Sequence, residues 1–196
     1  MAVGQQAGPK RRRWTQKEFY RLLDLGFFYD QRVELIGGEI IVMPAQKNFH
    51  ALGIELTADA LRAAFGTGFW VRVQMSLDLS PSSVPDPDLA VVPGSPRSHK
   101  GDKDNPTTAL LIVEVSETTL RLDRRRKASL YARAGITDYW ILNLIDRQLE
   151  VYRDPIADSS QLFGWHYGSR TDLAPTDTVS PLAAPQASIR VADLLP

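Results

Sequence analysis

Two carboxylates stand where the sequence predicts buried β-strands. Glu114 lies within the most apolar run of the chain, residues 109–115 (ALLIVEV), which is typical of a central strand buried on both faces. An ionised carboxylate there needs a cationic partner, a bound metal or a raised pKa. Strand alternation places Glu114 near the carboxyl end of the strand, where such sheets open onto ligands. Simple exposure to water is the alternative explanation.

Two further acids accompany Glu114. Asp88 follows Pro85 and Pro87 at the start of a second apolar strand. Asp and Pro are also ordinary residues of a turn that leads into a strand, and for Asp88 alone this is the stronger explanation. Glu34 lies in the first strand of a predicted hairpin, and two roles fit it. It is either the cross-strand partner of a basic residue or another acid that lines the same pocket.

A basic residue lies on the inward stripe of a predicted helix over residues 124–134. Helical spacing puts Lys127 on the same face as Leu130 and Tyr131, which turns toward the core. Its ammonium either extends to water along the aliphatic stem or points at an anionic group. Asp123 precedes it by four residues, the spacing at which helical neighbours interact.

Two carboxylates and a lysine suit one chemistry well. Carboxylate oxygens bind Mg²⁺ or Mn²⁺, and such an ion polarises a phosphoryl oxygen and lowers the pKa of a bound water. A lysine ammonium stabilises the added negative charge or orients the water. The pattern therefore indicates phosphodiester hydrolysis, although the spacing of these residues is too loose to be specific on its own.

Composition excludes several other classes of protein. The 196 residues include no Cys, which rules out a disulfide scaffold, a thiolate zinc site and a Cys nucleophile. No Gly-rich phosphate loop of the ATPase or dehydrogenase type is present. The sequence contains no run of 18 apolar residues, the length needed to span a membrane. No apolar stretch follows the basic N-terminus, as it would in a secretory signal. A cytoplasmic location is expected.

The net charge of zero is the sum of unlike segments. Residues 1–21 and residues 121–133 each carry six basic residues and one acid, a net charge of +5, which leaves −10 for the remainder. These segments are either a disordered tail and a solvated helix face or two contacts for a polyanion. Residues 1–12 are predicted to be a disordered basic tail, and residues 13–196 one domain.

Periodicity and turn residues predict an α/β or α+β fold with a mixed sheet. Thr15 and Glu18 have the spacing of a capping box at a helix start, and Gly37-Gly38 between two apolar runs predicts a hairpin turn. The tail beyond residue 153 is expected to hold one short strand and loops. The predicted elements are a helix from Thr15 to about Leu25, a hairpin of 33–35 and 39–43, a helix over 48–65, strands over 70–79, 88–92 and 109–115, a helix over 124–134, and strands over 139–144 and 149–152.

The chain resembles a known nuclease pattern in four ordered stretches, with His50 opening a helix between the first two. The stretches are VELIGGEIIVMP, PDPDLAVV, LLIVEVSETTLRLDRRRKASLYARAGITDYWILNL and LEVYR. Together they resemble the PD-(D/E)xK pattern and, more narrowly, the Uma-two family of bacterial restriction-endonuclease-like proteins, from about Thr15 to the C-terminus. The resemblance implies an α/β fold with a three-layer core, in which helices flank a mixed β-sheet.

The resemblance also implies roles for individual residues. Asp88, Glu114 and Glu34 would bind the metal, and Lys127 would serve the reaction from the helix. The parent motif has its Lys two positions after the acid, where this chain has Ser116. The residues assigned to substrate are His50, Ser116, Arg124 and Arg125. A buried or capping role for His50 is the alternative.

The function expected from the resemblance is a Mg²⁺- or Mn²⁺-dependent endonuclease that hydrolyses DNA, active as a homodimer. Two alternatives remain open. One is a non-catalytic DNA- or protein-binding regulator on a nuclease scaffold, since a fold does not fix a function. The other is a metal-dependent hydrolase of a small phosphate ester.

Overall fold

A six-stranded mixed sheet forms the centre of the protein. The computed structural model describes residues 10–98, 101 and 104–196. In their order across the sheet, the strands are β3 (Phe69–Val73), β4 (Leu89–Pro93), β5 (Leu111–Ser116), β6 (Asp138–Asn143), β7 (Gln148–Ala157) and β8 (Trp165–Leu173). Within this sheet β5 and β6 pair in parallel, and every other adjacent pair is antiparallel.

Among the described residues, three helices accompany the sheet. The first two are α1 (Gln16–Asp24) and α2 (Asn48–Phe65), and the predicted capping box of Thr15 and Glu18 begins α1. The third, α3, connects β5 to β6. It runs through Leu120–Leu122, a π turn over Asp123–Lys127, and Ala128–Arg133. The prediction for α3 began four residues too late and did not include the π turn.

Helices pack on both faces of the sheet, which confirms the predicted three-layer arrangement. On one face, α2 contributes Ile54, Ala58 and Leu61 to a core with the sheet. On the other face, α3 contributes Leu130 and Tyr131 to a second core. The two parallel strands are buried on both sides for this reason, as the continuous apolar sequence of β5 predicted.

Three strand predictions were wrong in extent, and one of them is β7, which was predicted over 149–152 and runs from Gln148 to Ala157. The strand predicted over 70–79 ends at Val73, because Gln74 adopts a left-handed backbone conformation (φ 51°) that breaks an extended strand. The long strand β8 lies in the tail that was predicted to form mainly loops. Most of its residues are not buried, so its apolar alternation is weak, and its pairing with β7 holds it in place.

A small hairpin is added beside the sheet. It consists of β1 (Val33–Ile36) and β2 (Glu39–Val42), as the Gly37-Gly38 turn predicted. A third apolar cluster of Phe19, Val33 and Val84 anchors the hairpin to α1. Arg126 ties it to α3 by donating to the carbonyl of Ile36 at 2.7 Å. All four residues of β1 are buried, including Glu34.

The remaining elements are short. A two-stranded pair, β9 (Thr178–Val179) and β10 (Ile189–Arg190), follows β8. Of the predicted disordered tail 1–12, residues 1–9 lie outside the described residues, and residues 10–12 belong to no helix or strand. Within the described part of the chain, no helix is both long enough and apolar enough to cross a membrane.

Candidate active site

Strand register brings the two predicted metal-binding acids together. β4 and β5 are antiparallel, and Leu89 pairs with Val113. One residue further along the pairing, Asp88, which comes just before β4, lies opposite Glu114 of β5. The main-chain N–H of Val115 donates to Asp88 Oδ2 at 2.9 Å, which fixes this carboxylate at the end of β5. The two acids therefore lie side by side although 25 residues separate them in sequence.

Lys127 connects two buried carboxylates. Its Nζ donates to Glu114 Oε1 at 2.9 Å and to Glu34 Oε1 at 3.1 Å. All three side chains are at most 4% exposed. The ammonium therefore points at anionic groups rather than extending to water. Glu34 is the partner of a base, but that base lies on α3 and not on the paired strand, where Ile41 is opposite Glu34.

Tyr131 completes the surroundings of Glu114. Its hydroxyl donates to Glu114 Oε1 at 2.6 Å, so this oxygen accepts hydrogen bonds from both Tyr131 and Lys127. Sequence reasoning missed this role. The helical spacing could have indicated it, because Tyr131 follows Lys127 by four residues on the same buried stripe of α3.

His50 and Gln74 hold Asp88 from the opposite side. His50 lies in the first turn of α2, and its Nε2 is 3.2 Å from Asp88 Oδ2. Gln74 Nε2 donates to Asp88 Oδ1 at 3.2 Å. α2 lies close to the sheet at Gly53, where an added Cβ would come within 3.1 Å of Val115 Cγ1. This close approach of the helix brings His50 to Asp88.

The π turn of α3 places Asp123 on the buried side with Lys127. Asp123 is 1% exposed, and Thr119 Oγ1 donates to its Oδ2 at 2.7 Å. The hydrogen-bonding partners of the Lys127 ammonium are Glu34 and Glu114, so Asp123 acts on Lys127 through charge at longer range. π turns occur frequently at functional sites because they change which side chains share a face.

These residues border one small cavity. Asp88, Glu114, Lys127 and His50 line it, together with the loop after β2 and residues 117–119. Its volume is about 40 Å³, enough for an ion and a few waters but too small to enclose a nucleotide. Four of the predicted site residues thus meet at one opening.

The other four predicted residues lie elsewhere. Glu34 is buried behind Lys127. Ser116 is buried at the end of β5, with its hydroxyl 3.4 Å from Thr119 Oγ1. Arg124 donates to both carboxylate oxygens of Glu150, at 3.0 and 2.5 Å. Arg125 borders shallow surface depressions outside this cavity.

Burial sets the protonation of the site. It raises the pKa of Glu114 to about 8, and the nearby Lys127 charge only partly opposes this effect. Burial also disfavours the charged form of Lys127, but the surrounding carboxylates raise its pKa above the ordinary value. For Asp88, burial opposes ionisation, but the hydrogen bond from His50 keeps its pKa below the ordinary value. Asp88 is therefore held in its ionised form, whereas burial favours the protonated form of Glu114.

The cavity presents oxygen atoms of the kind that bind a hard cation. One carboxylate oxygen at the cavity, Asp123 Oδ1, is buried without a hydrogen-bond partner among the described residues. Within those residues no three His, Cys, Asp or Glu side chains form a cluster that could hold a metal. Mg²⁺ does not require one, because it is usually bound by one or two carboxylates together with waters and substrate phosphates. Asp88 and Glu114 supply that donor set.

Arg32 also lines the cavity and was not predicted to belong to the site. It lies just before β1, and its Nη2 donates to the carbonyl of Asp86 at 3.0 Å and lies 3.8 Å from Asp88 Oδ1. No periodic pattern marked it, because it belongs to neither a helix nor a strand.

Comparisons with known proteins identify a family and a similar fold. The model of the Uma2 family, described as "Putative restriction endonuclease", matches residues 16–192. A crystal structure from Anabaena variabilis ATCC 29413, described as a putative nuclease belonging to DUF820, superposes with a TM-score of 0.66. The two sequences are 14% identical, and the match covers 92% of this chain and 96% of the other. No curated protein matches the chain.

Proposed function

Because the chain belongs to the Uma2 family of restriction-endonuclease-like proteins, we propose that it is a Mg²⁺- or Mn²⁺-dependent endonuclease that hydrolyses phosphodiester bonds in DNA. One observation carries the proposal. Asp88 and Glu114 line the same small cavity, and the Lys127 ammonium lies 2.9 Å from Glu114 Oε1 at its wall. Two oxygen donors and an adjacent ammonium are what metal-assisted phosphoryl chemistry requires.

Each residue has a separate task in this proposal. Asp88 and Glu114 would hold the divalent ion, which when bound supplies a Lewis acid and a water of lowered pKa. Lys127 orients the attacking water or stabilises the added charge on the phosphate. Glu34, the third predicted ligand, holds the Lys127 ammonium in place. His50 fixes Asp88 so that this carboxylate stays ionised and faces the cavity.

The size of the cavity favours a polymer over a small ester. A volume of about 40 Å³ leaves room for the ion and waters, so the phosphate approaches from outside and the rest of the substrate lies across the surface. An enzyme for a small phosphate ester would be expected to enclose most of its substrate. A DNA duplex needs no such enclosure, and a homodimer in the cytoplasm that cuts both strands is part of the same proposal.

A cleavage assay on the full chain tests the proposal. Supercoiled plasmid is incubated with Mg²⁺ or Mn²⁺, and nicked and linear products are measured for the wild type, Asp88→Asn, Glu114→Gln and Lys127→Met. Each variant is expected to lose at least 100-fold in rate while keeping its circular dichroism spectrum. Glu55→Gln, an exposed acid of α2, is the control that should cleave like the wild type.

The possible outcomes separate the three candidate functions. Metal-dependent cleavage that Glu114→Gln abolishes supports the endonuclease. DNA binding without metal binding or cleavage would overturn it in favour of the non-catalytic regulator. Hydrolysis of nucleotides or p-nitrophenyl phosphodiesters, with no action on polymers, would favour the small-ester hydrolase.

A further inference from the structure

We propose that Arg32 binds a phosphate group of the nucleic-acid strand at the mouth of the cavity, an inference that rests on the proposed function. Arg32 borders the cavity that Asp88 and Glu114 line, and 29% of its side chain is exposed. Its backbone is fixed by the hairpin, because the N–H of Met43 donates to the Arg32 carbonyl at 2.8 Å. A guanidinium thus stands at the opening through which a phosphate would approach the acids.

The hydrogen-bonding capacity of Arg32 is only partly used. Both of its polar contacts, to the Asp86 carbonyl and to Asp88 Oδ1, are made by Nη2. Nη1 and Nε have no hydrogen bond to any residue that the structure describes. A guanidinium carries five N–H groups in a planar fork that matches two oxygens of a phosphate. The unused edge of Arg32 is therefore suited to such an anion.

The other two cations that line the cavity are already engaged. Lys127 is 1% exposed and binds Glu34 and Glu114. Lys47 forms an ion pair with Glu117 at 2.9 Å on the surface. Asp88, the acid nearest to Arg32, is held by His50 and by the Val115 N–H at 3.2 and 2.9 Å, whereas its contact with Arg32 is 3.8 Å. Of the three cations, Arg32 has the longest ion-pair contact, since its Nη2 lies 3.8 Å from Asp88 Oδ1 whereas each lysine lies within 3.1 Å of a carboxylate oxygen.

Arg32 lies outside the basic segment for which the sequence predicted phosphate contacts. The basic segment of α3 was expected to bind phosphates, but Arg124 is committed to the buried carboxylate of Glu150 and lies outside the cavity. The loop before β1 instead places Arg32 at the cavity, 3.8 Å from the proposed metal ligand Asp88. A contact at this position acts on the scissile phosphate or its immediate neighbour, so it should affect the rate at saturating DNA as well as affinity.

The test compares Arg32→Gln, Arg32→Lys and the control Arg62→Gln in the full chain. Arg62 lies near the end of α2, paired with Asp59 on the surface. Duplex affinity is measured by fluorescence anisotropy at several KCl concentrations in EDTA, and cleavage is measured with Mn²⁺ in single turnover. Arg32→Gln should lower the saturating cleavage rate at least tenfold and reduce the slope of log K against log salt by about one. Arg62→Gln should behave like the wild type.

Arg32→Lys separates charge from the planar fork. It should restore the salt slope, because the charge remains, but not the saturating rate. Arg32→Gln with the wild-type slope and rate would overturn the proposal. If both variants melt more than 10 °C below the wild type, labelling of the wild-type protein with phenylglyoxal shows whether DNA covers Arg32. A 20-base-pair duplex should protect Arg32 at least fivefold, and equal labelling with and without DNA would overturn the contact.

These measurements also distinguish the two proposals. A wild-type protein that neither binds nor cleaves DNA refutes the nuclease itself. A wild-type protein that cleaves DNA, with Arg32→Gln at the wild-type rate, refutes only the role of Arg32.

Discussion

The ammonium of Lys127 and the carboxylate of Glu114 are joined at 2.9 Å although they come from different layers of the protein. Glu114 belongs to the central strand β5, and Lys127 belongs to the helix α3 that covers it. Both are almost fully buried, so the pair lies in a medium where an unpaired charge would cost several kcal/mol. The pair therefore fixes the position of α3 on the sheet and also orients the groups that we assign to the reaction.

Replacing the lysine should destabilise the fold. Lys127→Met leaves Glu34 and Glu114 buried without their cation, which should lower the free energy of unfolding by about 3 kcal/mol. Urea denaturation at neutral pH measures it. Lys17→Met removes an exposed lysine of α1 and should change the free energy by less than about 0.5 kcal/mol. A loss as small for Lys127→Met would show that the ammonium is not paired.

Removing one hydroxyl should weaken metal binding. Tyr131→Phe keeps the ring but deletes the hydrogen bond to Glu114 Oε1, and groups that orient a metal ligand typically contribute 10- to 100-fold to affinity. Mn²⁺ titration calorimetry measures the change. Tyr167→Phe is the matched control, because its buried hydroxyl donates to the Ile136 carbonyl away from the site. Equal Mn²⁺ affinity in the two variants would contradict an orienting role for Tyr131.

Metal binding should stabilise the native protein. A ligand at 100 times its Kd adds about 2.7 kcal/mol, so the melting temperature should rise on addition of Mn²⁺. Asp88→Asn should abolish the rise, and Glu55→Gln should retain it. Differential scanning fluorimetry with Mn²⁺ and with EDTA gives the comparison. A rise of the same size in Asp88→Asn would place the ion elsewhere on the molecule.

Glu150, a buried acid away from the cavity, should make stability depend on pH. Burial disfavours ionised Glu150, but hydrogen bonds from Arg124, Tyr152 and Asn143 lower its pKa below 4.5. Its stabilisation is therefore complete above pH 4.5 and is lost as the pH falls through the lowered pKa. Glu150→Gln should cost about 2 kcal/mol at pH 7 and much less at pH 3 in urea denaturation. A cost independent of pH would mean that the carboxylate charge contributes nothing.

Local sequence signals predicted the elements that depend on neighbouring residues. The capping box of Thr15 and Glu18 and the Gly37-Gly38 turn each act within a few residues, and both were confirmed, as was the helix over 48–65. The face of α2 that is buried was not predicted, because Leu52 and Leu56 of the expected apolar stripe are exposed. The signals failed where distant partners decide the structure. β8 has weak apolar alternation and is held in place by its pairing with β7. β3 ends at Val73, and the next residue, Gln74, has a left-handed backbone conformation and donates a hydrogen bond to Asp88.

The same distinction holds for the candidate site. The sequence by itself determined which groups are available and that Glu114 and Lys127 would face inward, because strand alternation and helical spacing are local properties. Only the tertiary structure decided which groups meet. Antiparallel register set Asp88 beside Glu114, and the packing of α3 placed Tyr131 against Glu114. Arg124 binds Glu150 instead of lining the cavity, because a buried carboxylate needs a cation close to it in space. Arg32 lines the cavity although it lies in an irregular segment of the chain.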